Sequence, residues 1–469
     1  MSKRSSGRGM RFNPGRRHLI KGMAATGALA LTGCGDGSPQ PGDSGTDPGT
    51  SLPALPDPAD SGIDHIVVVM MENRSYDHYL GWVPGGDGKQ AGLQFPDKNG
   101  DLQSTFRLSQ DPAYGFMGCG KADPDHSYDG GRVELNNGSM DGFLLTDGTE
   151  IGDHFPIGYY AKEDVPFNAG VADHWTICDR YFCSILSQTF PNRFYMHAGQ
   201  TDRNDNGLSF SNLPTIWDRL ADAGRSARFY FSDLPIIGLF GGQKHIAITK
   251  PFAQFLLDAQ LGLLPDVSYI DPNFGGSVGE GTGISMDDHP RADIRWGQSF
   301  LNQVYDAIRN SPQWDRTLLI INYDEWGGFY DHVVPPFAPV TPEEFSLIGN
   351  DGRLGFRVPC YLIGPRAKRN HVTHIPFDHN SILNFICWRF GMDPLGARGD
   401  TSINIAQALD FTSAPKLDAP AFNVPVGPFG LTCQLPIVGG SKSANPYAKH
   451  EEDWNGLYEI VRKLGYPVK

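Results

Sequence analysis

A chain of 469 residues is long enough for one large hydrophobic core or two ordinary ones. It carries 39 Lys and Arg against 53 Asp and Glu, a formal charge of −14. Such an acidic balance argues against nucleic acid, or an anionic membrane surface, as a partner reached by electrostatic steering.

Residues 1–33 contain seven of the basic residues and none of the acidic ones, so the remainder holds 32 basic against 53 acidic side chains. Arg16-Arg17 precede an apolar run over 23–31 that is too short to cross a bilayer and suits a signal-peptide core. Twin arginines ahead of such a run point to Tat export, and Leu31-Thr32-Gly33-Cys34 resembles a lipobox. We therefore expect residues 1–33 to be a lipoprotein signal peptide. The mature chain would be held to a membrane by lipid on Cys34, in the periplasm or at the cell surface. Residues 34–60, dominated by Gly, Pro, Ser, Asp and Thr, read as a disordered tether to a folded domain over 61–469. Six cysteines lie beyond Cys34, none in a CxxC pair. An even number permits disulfides in an oxidising compartment but does not fix their pairing.

The folded part opens with Ile66-Val67-Val68-Val69-Met70-Met71, apolar at successive positions as in a strand buried on both faces. It stops at Glu72-Asn73. In open α/β sheets ligands bind beyond the carboxyl ends of the strands, so these two side chains are candidate oxygen ligands for a metal. Alone, they could equally be turn residues. Residues 82–160 look loop-rich, with His126 among Asp123, Asp125 and Asp129. Thr189 stands two residues before Pro191, which is tolerated only in a first helical turn. The spacing puts Thr189 at about the N-cap of a helix running through Arg193. A hydroxyl there can cap the helix or attack a phosphorus atom held by the helix end.

Helical spacing recurs over 214–223, and strands are predicted over 227–231 and 267–270. His289 precedes Pro290, outside a helix predicted over 294–311. The run Thr317-Leu318-Leu319-Ile320-Ile321-Asn322-Tyr323 repeats the opening pattern, ending in Asp324-Glu325 and then Gly327-Gly328. A second oxygen-bearing tip makes a metal site plausible. Further on come His332, a strand over 358–363, a helix entered at Asp378-His379, and a last helix over 446–464. Asp378 has the position of a cap, and His379 that of a buried hydrogen-bonding residue. Strands alternating with helices indicate an α/β fold, a mostly parallel sheet with helices on both faces.

The blocks HIVVVMMENRSYDHYLG, CDRYFCSILSQTFPNRFY, YDEWGGFYDHVVPP and FDHNSIL resemble the signature blocks of the bacterial phosphoesterase family. That family includes phospholipases C and acid phosphatases on an alkaline-phosphatase-like three-layer sandwich. The resemblance spans about 62–391 and implies that 61–469 is a phosphoesterase catalytic domain. It implies Glu72, Asn73, Asp324 and Glu325 as ligands of a divalent metal, with Thr189 as a further ligand and the nucleophile. His126 and His289 would surround the transferred phosphate and protonate the leaving oxygen, with His332 a further catalytic candidate. Arg193, Asp378 and His379 would bind substrate. Trp326 departs from the family pattern, in which His is common there.

The oxygen donors suit Mg²⁺, Ca²⁺, Mn²⁺ or Fe, and Zn²⁺ is also compatible. The expected function is a metal-dependent phosphoester hydrolase of phospholipase C type, acting on a phospholipid or small phosphoester through a phosphothreonine. An acid phosphatase is the nearest alternative. A sulfatase is set aside because Thr189 cannot become formylglycine. A non-catalytic surface lipoprotein would not be expected to keep the whole candidate ligand set.

Overall fold

The computed structural model describes residues 52–118, 121–275, 285–429 and 453–468. The expected signal peptide, Cys34 and most of the expected tether lie outside these residues. Eight strands form one sheet: His65–Met71 (β1), Thr176–Cys178 (β2), Ala227–Phe231 (β3), Thr249–Pro251 (β4), Val267–Asp271 (β5), Thr317–Tyr323 (β6), Cys360–Ile363 (β7) and His371–Thr373 (β8). Their order is β8-β2-β7-β6-β1-β5-β3-β4. Only β7 runs antiparallel to its neighbours.

The two apolar runs of the sequence, β1 and β6, lie side by side at the centre. β1 is buried after its first residue and β6 throughout. A strand apolar on both faces needs cover on both. Helices Pro166–His174 (α1) and Phe252–Leu261 (α3) pack against Ile294–Arg309 (α4), while Thr189–Ala198 (α2) packs against His379–Phe390 (α5). The result is the expected α/β architecture. Helix α4 owes its place to an amphipathic stripe, with Ile294, Phe300, Leu301, Val304, Tyr305 and Ile308 buried.

Several elements differ from the sequence expectation. The loop-rich region contains a helix, Tyr128–Leu135, capped by Ser127, whose Oγ accepts from Gly130 N at 3.0 Å. Gly130-Gly131 hide its periodicity. Gly131 is there for close packing, since a Cβ would sit 2.8 Å from Leu186. Strands β2, β4 and β8 have three residues each, too few to leave a pattern. The end of the expected tether is not loose: Pro58–Asp60 forms a 3-10 turn, capped by Asp57 and packed on α5. The final helix is Trp454–Leu464, and the expected residues 446–452 fall outside the described chain. Cys178, Cys183, Cys360 and Cys387 are buried free thiols. Among the described residues no helix is long and apolar enough to cross a membrane.

Candidate active site

Parallel pairing fixes where the two strand tips go. Met71 lies opposite Tyr323, so the chain leaves β1 and β6 at the same level. Glu72-Asn73 therefore emerge beside Asp324-Glu325. Asp324 N donates to Met71 O (3.1 Å), Asn73 N to Asp324 Oδ1 (3.1 Å), and Arg74 N to Glu325 O (3.1 Å). This crossing of the two chains demands unusual backbone. Asn73 has φ 59°, and Gly327 has φ 64° with space so tight that a Cβ would lie 2.1 Å from Asn73 O. On the other side of β1, Val69 pairs with Ile270 and brings Asp271, the last residue of β5, to the same end.

Helix α2 supplies the other half. Thr189 is its first residue, one past the expected cap position, and Gln188 makes no side-chain cap bond. Thr189 Oγ1 lies 3.5 Å from Asn73 Oδ1. One turn later on the same face, Arg193 turns inward. Its Nη2 meets Glu72 Oε1 at 2.8 Å, its Nη1 meets Asp271 Oδ1 at 3.0 Å, and its Nε lies 3.5 Å from Asp324 Oδ2. Nη2 also donates to Met70 O (3.2 Å). The guanidinium expected to bind substrate is thus committed to the protein's own carboxylates.

Charge balance then decides what the site can hold. Glu72, Asp324 and Glu325 are 0% exposed and Asp271 is 3% exposed, and Arg193 bridges Glu72, Asp271 and Asp324. Burial pushes Asp271 up to about 7, against the pull of Arg193. Among the described residues Asp271 Oδ2 has no hydrogen-bond partner. A cluster of buried carboxylates is a chemically suitable place for a divalent cation. Glu72, Asn73, Asp324, Glu325 and Thr189 offer only oxygen atoms, the donors of a hard or borderline divalent ion.

His126 and His289 face this centre from the loop side. His126 Nδ1 lies 2.8 Å from Pro124 O, which puts the proton on Nδ1 and turns Nε2 toward Asn73 Nδ2 (3.5 Å) and Glu325 Oε1 (3.9 Å). His289 Nδ1 lies 3.2 Å from Pro290 O, and its Nε2 is 3.5 Å from Asp123 Oδ2. The two rings are 6.1 Å apart, and Asp123, His126 and His289 offer ligand atoms within 4.8 Å of one another.

The remaining expected site residues lie elsewhere. His332 belongs to a separate group, with Nδ1 2.5 Å from Asp77 Oδ2 and Nε2 3.2 Å from Asp87 Oδ1; Arg357 bonds both Asp77 and Asp331 in it. Asp378 caps α5, accepting from Ser381 N (3.1 Å) and Ser402 Oγ (3.1 Å). His379 Nε2 lies 3.2 Å from Tyr323 O, and burial pulls its pKa down to about 3, so a neutral ring props the end of β6. Trp326 is fully buried and donates to Glu134 Oε2 (2.7 Å). Asp271 was missed by sequence reasoning. Its signal was the one used for the other tips, a buried strand ending in a carboxylate.

A hydroxyl at a helix N-terminus, set against acidic side chains from neighbouring strand tips, is the equipment of a hydrolase of phosphoester bonds. The comparisons agree. The phospholipase C A of Mycobacterium tuberculosis is 31% identical over 457 residues, covering 82% of this chain and 85% of that protein. The non-specific phospholipase C1 of Arabidopsis thaliana is 33% identical over 360 residues, covering 68% of this chain and 65% of its own. The chain belongs to the Phosphoesterase family, whose model matches residues 63–393. Among solved structures, an alkaline phosphatase superfamily protein from Vibrio parahaemolyticus aligns at 11% identity and a TM-score of 0.33, over 48% of this chain and 60% of that one. That likeness is too slight to carry a conclusion.

Proposed function

We propose that the protein is a metal-dependent phospholipase C, cleaving a phosphodiester through a covalent phosphothreonine on Thr189. The observation that carries this reading is the Thr189 hydroxyl 3.5 Å from Asn73 Oδ1, beside the buried carboxylates of Glu72, Asp324 and Glu325. A divalent cation held by Glu72, Asn73, Asp324 and Glu325 would stabilise charge on the phosphoryl oxygens and lower the pKa of the threonine hydroxyl. Arg193 holds Glu72 and Asp324 in register for it. The Thr189 hydroxyl gives up its proton to solvent and its oxygen bonds to phosphorus while the bond to the leaving alcohol breaks. His126 or His289, in its imidazolium form with a proton on Nε2, gives that alcohol its proton, a contribution of about 10²- to 10⁴-fold in rate. Water then displaces the threonine oxygen and regenerates the hydroxyl. The helix N-terminus of α2 favours the anionic phosphate throughout.

The relatives named phospholipase C support a lipid substrate. By the same reading the chain is exported and anchored through Cys34. The test is hydrolysis of p-nitrophenylphosphorylcholine beside p-nitrophenyl phosphate, before and after chelation. Cleavage of the diester that falls on chelation and returns with added metal supports the reading. Preference for the monoester would make the protein a phosphatase instead.

A further inference from the structure

Five large apolar side chains on or near the segments around helix Tyr128–Leu135 and helix Pro342–Ile348 are exposed. Val133, Val334, Phe337, Phe345 and Leu347 are 43, 42, 52, 63 and 67% exposed. Of these, Val133 lines a cleft of about 590 Å³ whose walls also include Tyr128, Gln188 and Asn204. Gln188 immediately precedes Thr189, so the cleft ends at the N-terminus of the helix that carries the nucleophile. Helix Pro342–Ile348, which bears Phe345 and Leu347, is tied to the same walls. Tyr128 donates to Gly349 O (2.7 Å), and Asn204 Nδ2 to Ile348 O (3.0 Å). Phe337 bridges to Arg353, whose guanidinium covers one face of the ring at 3.7 Å. Val334 comes within 3.9 Å of the position a Cβ on Gly138 would take, just past helix Tyr128–Leu135.

The exposure is not fraying. A capping box of Thr341 and Glu344 starts the helix, and buried Glu344 also accepts from Tyr195 OH (2.6 Å) and Thr201 N (3.2 Å). A firmly seated helix that turns Phe and Leu outward at the mouth of a cleft marks an interaction surface. Charge indicates the partner. The cleft walls carry Asp125, Asp129, Asp147 and Asp205, with no Lys or Arg among the described lining residues. An acid-walled mouth attracts the cationic end of a zwitterionic headgroup and repels an anionic surface.

We propose that these exposed side chains form the face on which the protein settles on a zwitterionic lipid bilayer, Phe345 and Leu347 entering the headgroup layer as a headgroup enters the cleft. The proposal rests on the phospholipid reading above. It explains how an acidic chain reaches a membrane-embedded phosphodiester through apolar contact rather than through a basic patch. The test uses the double variant Phe345→Ser/Leu347→Ser, sedimentation with phosphatidylcholine vesicles, and hydrolysis of those vesicles and of monomeric short-chain phosphatidylcholine. The variant should lose vesicle binding and vesicle hydrolysis by about tenfold or more, with monomer hydrolysis unchanged. A control pair on the surface near α3, Leu257→Ser/Leu263→Ser, removes comparable exposed area (45 and 57%) and should change neither. Full vesicle binding by the Phe345→Ser/Leu347→Ser variant overturns the proposal, as does tighter binding of the parent to anionic than to zwitterionic vesicles. A parent that binds vesicles but leaves monomeric lipid intact supports the docking face and refutes the phospholipase reading.

Discussion

Replacing Arg193 by methionine keeps most of the side-chain volume and removes a cation that bridges Glu72, Asp271 and Asp324. All three carboxylates are at most 3% exposed, so they have no water to turn to. Removing one partner of a buried pair costs about 3–5 kcal/mol, because the other charge is stranded. The change should therefore destabilise metal-free protein by at least that range in urea unfolding, with m unaltered. A divalent cation at the strand tips replaces part of the lost positive charge. Metal-loaded variant should recover a larger share of stability than metal-loaded parent gains. Refutation would be a chelated variant as stable as the parent, or one that metal stabilises no more than it does the parent. Either outcome would mean that the carboxylate cluster does not need Arg193.

Thr189→Ala should lower phosphodiester hydrolysis by at least about 10³-fold, while Thr189→Ser keeps measurable turnover; steady-state kinetics decide. If His126 or His289 protonates the leaving alcohol, His126→Gln and His289→Gln should harm alkyl esters far more than p-nitrophenyl esters. Equal losses on both would remove them from that role. Burial pulls the His332 pKa down, but the hydrogen bond and charge of Asp77 outweigh it, and the net shift is upward from 6.5. A raised histidine pKa gives stability that is complete below about 6.5 and declines as pH rises through the folded value. The stability gap between parent and His332→Asn, followed by urea unfolding, should therefore narrow as pH is raised above 6.5. Labelling with radioactive palmitate should be lost in Cys34→Ala if that cysteine carries the anchor.

The centre of the fold could be read because it obeys a simple rule. Val67-Val68-Val69 and Leu319-Ile320-Ile321 are apolar on both faces, and only a central parallel strand needs that. Their tips could be read because Glu72, Asn73, Asp324 and Glu325 interrupt such runs abruptly. Asp271 escaped because its strand leaves on a single carboxylate followed by Pro272, which looks like an ordinary turn. His332, Asp378 and His379 fall within recognisable blocks, yet a block gives no direction to a side chain. In the fold one binds Asp77, one caps α5 and one supports the Tyr323 carbonyl. Arg193 was expected to bind substrate, and in the fold its guanidinium lies against Glu72, Asp271 and Asp324. Its four-residue spacing from Thr189 put both on one helix face, and only the position of β5 and β6 showed that the face looks inward.

The most direct measurement is rapid acid quench of the enzyme turning over a radiolabelled phosphodiester, followed by mapping of the labelled peptide. The account predicts acid-stable label on Thr189, absent from Thr189→Ala. Acid-labile label on His126 or His289, or full turnover with no protein-bound label at any quench time, would contradict it.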